Sequence, residues 1–326
     1  MKERQVWIDM LKGYGIIMVT IGHLGIAFLL EKHIYSYHMF LFFLVSGYLF
    51  VDRPFNGTLK KKTNNLLVPF LAWDFVSSVI GAVMYHQNFK SFIATLFILK
   101  GNLCFNAPIW FLLILFFTEV IYSYINEKSP ISDGLLVFIS VALFLLIGTI
   151  QLPLKINLLP LAMFSYATGA QIKKREILAG GGTSTYIVLI GLAFISVVFG
   201  MFLNSRISYT AGDFGNILFC IIAAYSGMLF FFVLFRVLFR NYGDNILSYI
   251  GKNSFSIMVM QYYFFTLYNK VCRIFFGIED IWHMANSAKA ILLTILTIFL
   301  ILLIVGLFRK ASKGTMLEKI GKLFGV

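Results

Sequence analysis

The sequence predicts an all-α, polytopic membrane protein: a bundle of about ten transmembrane helices with both termini on the cytoplasmic side. Three observations carry this. The 326 residues are 60% hydrophobic and 13% charged, with a mean hydropathy of +0.87, too little charge to coat a soluble domain of that length. The apolar residues form continuous runs, not the period-two alternation of an outer-membrane barrel. Lys and Arg cluster between those runs, as topology signals do. That distribution excludes a nucleic-acid surface despite the net charge of +13.

Taken in order, the apolar runs lie at about 8–30, 35–51, 66–86, 108–125, 134–150, 156–172, 185–203, 214–238, 254–273 and 287–308, each close to the length of a bilayer crossing. The charged N-terminus has no small-residue cleavage site after it, which predicts an uncleaved first helix. Ile93 to Leu99 is too short to cross and reads as an interfacial or re-entrant piece. Residues 1–311 read as one integral-membrane domain without linker or repeat. In the tail, 312–326, Leu317, Ile320, Leu323 and Phe324 share one side while Lys319 and Lys322 face another, which predicts a cytoplasmic amphipathic helix on the membrane surface.

Loop charge sets orientation. With both termini inside, 18 Lys and Arg fall on the inner side (among them Lys2, Arg53, Lys60–Lys62, Lys173–Arg175 and Arg309) and 8 on the outer (Lys32, Lys90, Lys100, Lys155, Arg206, Lys270, Arg273 and Lys289). That is a positive-inside pattern, and it predicts a multi-pass plasma-membrane protein, bacterial in character, in contact with membrane lipids and not with nucleic acid. Cys104, Cys220 and Cys272 have no metal-ligand spacing, so no metal site is predicted; a Cys104–Cys272 disulfide at the outer surface stays open.

The first run carries the chemistry. Lys12 and His23 are eleven positions apart, nearly the same helix face, and Asp9 lies a turn below Lys12. The offset is about 16 Å along the axis, roughly half the hydrocarbon thickness. Lipid would not tolerate that stripe, so it faces protein or a wet cavity. A lone histidine in a bundle is more often packed than reactive. Here, however, Lys12 shares its face and His38 opens the next helix across a short loop. An imidazole titrates near neutral pH and is suited to taking a hydroxyl proton.

At the inner side Lys12, Arg53, Lys60, Lys61 and Lys62 form a candidate site for the phosphates of a cytosolic nucleotide-like ligand. Such clusters also serve topology and anionic lipid alone. Asp9 is placed to orient Lys12. Asp74 and Glu119 lie towards the inner ends of their helices, where snorkelling or pairing with Lys12 is the plain expectation. Trp110 opens the fourth span where an interfacial anchor is usual. Ser46 is a candidate oxyanion donor, or a packing residue beside Gly47. Gly180–Gly182 lacks the Lys-Ser/Thr of a phosphate loop.

These residues resemble the integral-membrane acyltransferase-three family. Trp7-Ile-Asp9-Met-Leu-Lys12-Gly13 through Gly22-His23 is similar to its opening mark, Arg or Lys, ten residues, then His. His38-Met-Phe-Leu-Phe-Phe-Leu-Val-Ser46-Gly47-Tyr48 is similar to a second signature, with Phe40 where a proline is usual. Lys60–Lys62 ahead of Leu67-Val-Pro69-Phe70, Pro108-Ile-Trp110-Phe111 and Gly251-Lys252-Asn-Ser254 resemble further segments, and Gln261 stands where the late segment often has a His. The resemblance implies transfer of an acetyl group from acetyl-CoA to a hydroxyl of a cell-surface polysaccharide or its lipid-linked precursor, of the polysaccharide or sugar O-acetyltransferase type. CoA phosphates would sit at Lys12 and the basic segment, His23 would act as general base and His38 would orient the acceptor or share the proton. Some relatives carry an appended extracytoplasmic hydrolase-like domain that this chain lacks, so the expectation is direct transfer or work with other polysaccharide-synthesis proteins. A translocator of a lipid-linked sugar is the rival reading, and would be expected to show an inverted repeat with broken helices. A scaffold in a polysaccharide-synthesis complex is the other, and leaves Asp9, Lys12 and His23 unexplained.

Overall fold

The computed structural model describes residues 4–99, 102–129, 131–176, 182–278 and 286–325; Lys2, Lys100, Gly180 and Gly181 lie outside these. Ten helices carry the apolar runs: α1 (Val6–Gly22), α2 (Phe28–Tyr48), α4 (Val68–Met84), α6 (Trp110–Lys128), α7 (Asp133–Ile147), α8 (Leu159–Lys174), α9 (Thr183–Val197), α10 (Ile217–Phe239), α12 (Ser254–Phe276) and α13 (Ser287–Ser312). Between and after them lie the shorter α3 (Phe55–Lys62), α5 (Phe89–Leu96), α11 (Ile246–Lys252) and α14 (Met316–Leu323). Among the described residues five helical stretches are long and apolar enough to cross a membrane: Phe55–Met84, Ala107–Lys128, Thr183–Leu203, Ile217–Phe239 and Ser287–Ser312. Apolar side chains on the outer faces stay uncovered, among them Phe138, Leu146, Ile190, Phe194, Leu292 and Ile295. A soluble protein would hide such faces, whereas a bilayer solvates them.

Contacts between loops sort them into two ends. At the Lys- and Arg-rich end Lys173 donates to the Phe50 carbonyl, Lys174 pairs with Asp133 and Arg309 donates to Asn253. At the opposite end Arg206 pairs with Glu31, Tyr209 donates to the Tyr35 carbonyl and Asn286 N–H donates to the Gly25 carbonyl. These contacts join the same loops that the charge pattern groups together.

Helices α1 and α2 form the centre, and glycines let their neighbours approach. A Cβ on Gly251 would lie 1.7 Å from the Asp9 carbonyl oxygen, and one on Gly13 would lie 2.1 Å from that of Leu247. Only bare backbone fits between α1 and α11. Gly47 and Gly169 do the same for α2 and α8, each within about 2 Å of the other helix's carbonyl. Close packing thus accounts for the glycines of two sequence motifs, Gly251 and Gly47.

Three element boundaries differ from the hydropathy reading. The first run is two helices: α1 stops at Gly22, His23 caps it, Gly25 turns the chain with φ +73°, and Phe28 already begins α2. Phe28-Leu-Leu30 therefore opens the second helix and does not finish the first. The basic run Lys60–Lys62 is helical, ending α3, which continues through a π-helical turn at Thr63–Leu67 into α4. Ile93 to Leu99, expected to be interfacial or re-entrant, falls in α5 and the loop after it. That loop carries Cys104 to Asp74, and Asn106 to Ser77 and the Val259 carbonyl. Cys104, Cys220 and Cys272 are free thiols, which closes the question of a disulfide. In the tail, Phe324 packs its ring on Trp73 and its carbonyl accepts from the Trp73 indole N–H at 3.0 Å, while Leu317, Ile320 and Leu323 remain exposed.

Candidate active site

Two cavities meet in the middle of the bundle. The larger, about 600 Å³, runs from Lys12 past Ile16 and Val19 to His23 and His38, and ends among Glu31, Arg206 and Tyr209 at the far end. The smaller, about 300 Å³, opens among Arg53, Lys61 and Lys62 at the basic end. Lys12, Phe42 and Ser46 border both. A chain of lining residues therefore links the basic end to the two histidines.

Helix α1 supplies the near wall. Its Asp9 is buried and takes ion pairs from Lys12 and Arg4, each at 2.7 Å. The carboxylate thus orients Lys12 as expected, with a second cation on its other oxygen. Lys12 keeps about a quarter of its side chain exposed, so its ammonium can meet a further anion. Eleven residues on, His23 lines the same cavity, as the helical spacing requires.

Seven residues placed in the sequence by charge or position stand as follows. Glu119 pairs with Lys62, not with Lys12. Asp74 is buried beside Cys104, its hydrogen-bond partner. Lys61 and Lys62 border the smaller cavity, whereas Lys60 is exposed and outside the lining of either. Trp110 is buried against the Tyr209 ring, 5.8 Å between centroids, and lines the larger cavity, so it is not a lipid-facing anchor. Ser46 donates to the Phe42 carbonyl one turn back at 2.9 Å, which occupies the proton an oxyanion would need.

The far end is an aromatic cluster. Tyr35 stands between the histidines, with its ring edge-on to His23 at 5.7 Å and to His38 at 5.1 Å. His38 Nδ1 lies 2.7 Å from the Ile34 carbonyl oxygen. A carbonyl can only accept, so the neutral ring carries its proton on Nδ1 and leaves Nε2 as an acceptor. His23 Nδ1 lies 2.8 Å from the Tyr35 hydroxyl and 3.2 Å from that of Tyr262. Arg206, from the 204–216 loop, pairs with Glu31 at 2.7 Å and lays its guanidinium over the Tyr35 ring, 4.3 Å from the centroid. Burial opposes its charge, but Tyr35 and Glu31 outweigh that and hold Arg206 above the usual guanidinium pKa. The loop is anchored from below by buried Lys155, which donates to the Thr210 carbonyl at 2.6 Å and Gln151 at 2.8 Å.

Tyr35, Tyr262, Arg206, Glu31 and Tyr209 were not singled out by sequence. Tyr35 carried a readable signal, lying one turn before His38 on the same helix face. Arg206 looked like an ordinary loop charge, and only the return of its loop over α2 makes it part of the site. Gln261 is fully buried and accepts from Thr20 on α1 at 2.9 Å, one residue before the Tyr262 that reaches His23.

The arrangement offers a basic anchor at one end, two imidazoles at the other and an apolar passage between. No curated protein and no solved structure matches the chain. A family model described as an acyltransferase domain, that of the acyltransferase-three family, matches residues 5–310 and so spans the lining of both cavities. The chain belongs to the acyltransferase-three family and is a membrane acyltransferase.

Proposed function

We propose that this acyltransferase moves an acetyl group from acetyl-CoA to a hydroxyl of a cell-surface polysaccharide or its lipid-linked precursor. The observation that carries the reading is the pair of cavities sharing Lys12, Phe42 and Ser46. CoA phosphates bind Arg53, Lys61, Lys62 and Lys12, where several cations converge without rigid geometry. The pantetheine arm follows the apolar passage along α1, whose length from Lys12 to His23 is about 16 Å. The acceptor enters by the far end, past Arg206 and Tyr209, and meets the thioester at His23 and His38. One imidazole takes the hydroxyl proton as the oxygen attacks the thioester carbon; the carbon–sulfur bond then breaks and CoA leaves as the thiol, reprotonated by the imidazolium. The basic end faces the cytosol, in keeping with its 18 to 8 excess of Lys and Arg, in a multi-pass plasma-membrane protein.

The test uses membranes containing equal amounts of wild type, His23→Ala and His38→Ala protein. Free CoA release and acetyl groups on the host glycan are measured together. Glycan-dependent CoA release by wild type, lost in both variants, supports the reading. A wild type that changes the amount of exported glycan while adding no acyl group would replace it with the translocator.

A further inference from the structure

The sequence assigns the general base to His23, but the hydrogen bonds divide the two imidazoles differently. His38 Nδ1 is 2.7 Å from a backbone carbonyl, one turn back on its own helix. The only proton available to that bond is the ring's own. His38 is therefore an Nδ1–H imidazole whose Nε2 lone pair is free for chemistry at the cavity it lines. His23 has the opposite surroundings. Its Nδ1 meets two phenol hydroxyls, Tyr35 from α2 at 2.8 Å and Tyr262 from α12 at 3.2 Å. A cation over the Tyr35 ring withdraws electron density from the phenol. It makes the hydroxyl a better donor and a poorer acceptor, and Arg206 is that cation. The Tyr35 proton therefore points at Nδ1, and the imidazole proton of His23 resides on Nε2.

We propose that the two histidines are held in opposite tautomers, His38 as the base through Nε2 and His23 as a hydrogen-bond donor through Nε2–H, with Tyr35, backed by Arg206 and Glu31, as the positioning residue that sets the His23 proton. This rests on the acyl-transfer reading for its chemistry, though not for its proton positions. In the reaction, His38 Nε2 takes the acceptor hydroxyl proton as the oxygen bonds to the thioester carbon. His23 Nε2–H donates to the carbonyl oxygen while it carries negative charge, the role left vacant by Ser46. The carbon–sulfur bond then breaks, and the proton on His38 passes to the CoA sulfur. The products are the O-acyl ester and the free thiol, and both histidines return to their starting states.

Nitrogen-15 NMR of histidine-labelled protein in lipid nanodiscs distinguishes protonated from bare ring nitrogens directly. The five histidines are assigned by difference, using His23→Gln and His38→Gln. The expected spectrum has His38 protonated at Nδ1 and His23 at Nε2. Equal tautomers, or the reverse pair, would overturn the proposal. In the Tyr35→Phe/Tyr262→Phe double variant the His23 proton should move towards Nδ1 while His38 is unchanged. A merely structural role for the tyrosines predicts no such move, and that result would remove Tyr35 as the positioning residue. In acyl transfer, His38→Gln should lose at least tenfold more activity than His23→Gln, because a glutamine keeps an N–H donor but supplies no basic nitrogen. The opposite ranking returns the base to His23. If wild type transfers no acyl group at all, the functional reading fails, and the nitrogen spectrum still decides the proton positions.

Discussion

Asp9 holds Lys12 at 2.7 Å from a carboxylate that is itself buried, and the same carboxylate takes Arg4 at 2.7 Å. Lys12 borders both cavities. Asp9→Asn keeps the shape and removes the charge. It should raise the KM for acetyl-CoA about tenfold, a change of about 1.4 kcal/mol. It should also lower stability by roughly 1.5–3 kcal/mol, the usual worth of a hydrogen bond to a charged group. Steady-state kinetics and thermal melting in detergent check the two halves separately.

The lysines of the basic run should not be equivalent. Lys62 pairs with Glu119 and Lys61 borders the smaller cavity, while Lys60 is exposed outside it. Lys61→Ala and Lys62→Ala should raise the KM for acetyl-CoA several-fold, with the effect shrinking at high salt. Lys60→Ala should leave it unchanged. Lys62→Ala also strands Glu119 in the bundle, so adding Glu119→Gln should recover part of its stability. A donor KM that responds equally to all three would refute the smaller cavity as the phosphate site.

Glycine positions separate close packing from helix propensity. Gly251→Ala and Gly47→Ala would put a methyl group within 2 Å of a backbone carbonyl oxygen. Each should cost roughly 1–3 kcal/mol or more through helix displacement. Gly306→Ala, in α13 with nothing within 4 Å of its Cβ position, should be neutral or slightly stabilising. Melting temperatures of the three variants in one detergent decide this, and a destabilised Gly306→Ala would show that the packing argument is not the cause.

Lys155 should give the protein an alkaline signature. It is buried in the outer loop, on left-handed backbone with φ +56°, and burial lowers its pKa below the usual lysine value. The unfolded chain then binds more protons than the folded one between the two pKa values. Stability should therefore rise with pH through the window just below the ordinary lysine value. Lys155→Met should lack that rise. It should also lose roughly 1–3 kcal/mol at neutral pH by leaving the Thr210 carbonyl without its donor. Melting curves from pH 7 to 10 on both proteins make the comparison.

The sequence was most informative where a periodicity met a hard physical limit. Continuous apolar runs require helices in a bilayer, because unpaired backbone groups are costly there. Lys12 and His23 had to share a face because eleven residues nearly complete three turns. Hydropathy could not place the break between α1 and α2. An apolar run looks the same whether it finishes one helix or begins the next, and Gly25 alone marks the turn.

Sequence order also said nothing about which residues would meet His23 and His38. Tyr262 lies 239 residues from His23, and Arg206 lies 175 from the Glu31 it pairs with. Those meetings depend on where α12 and the 204–216 loop come to rest against α2, and so on packing between helices that lie far apart in the chain. The amino-acid sequence was enough for the class of protein, its helices, its charged end and the line from Lys12 to His23, since each follows from local periodicity or transfer free energy. The surroundings of the two imidazole protons follow from neither. They are set by hydrogen bonds to a backbone carbonyl and to phenols on other helices, and those partners are brought within reach only by the folded bundle.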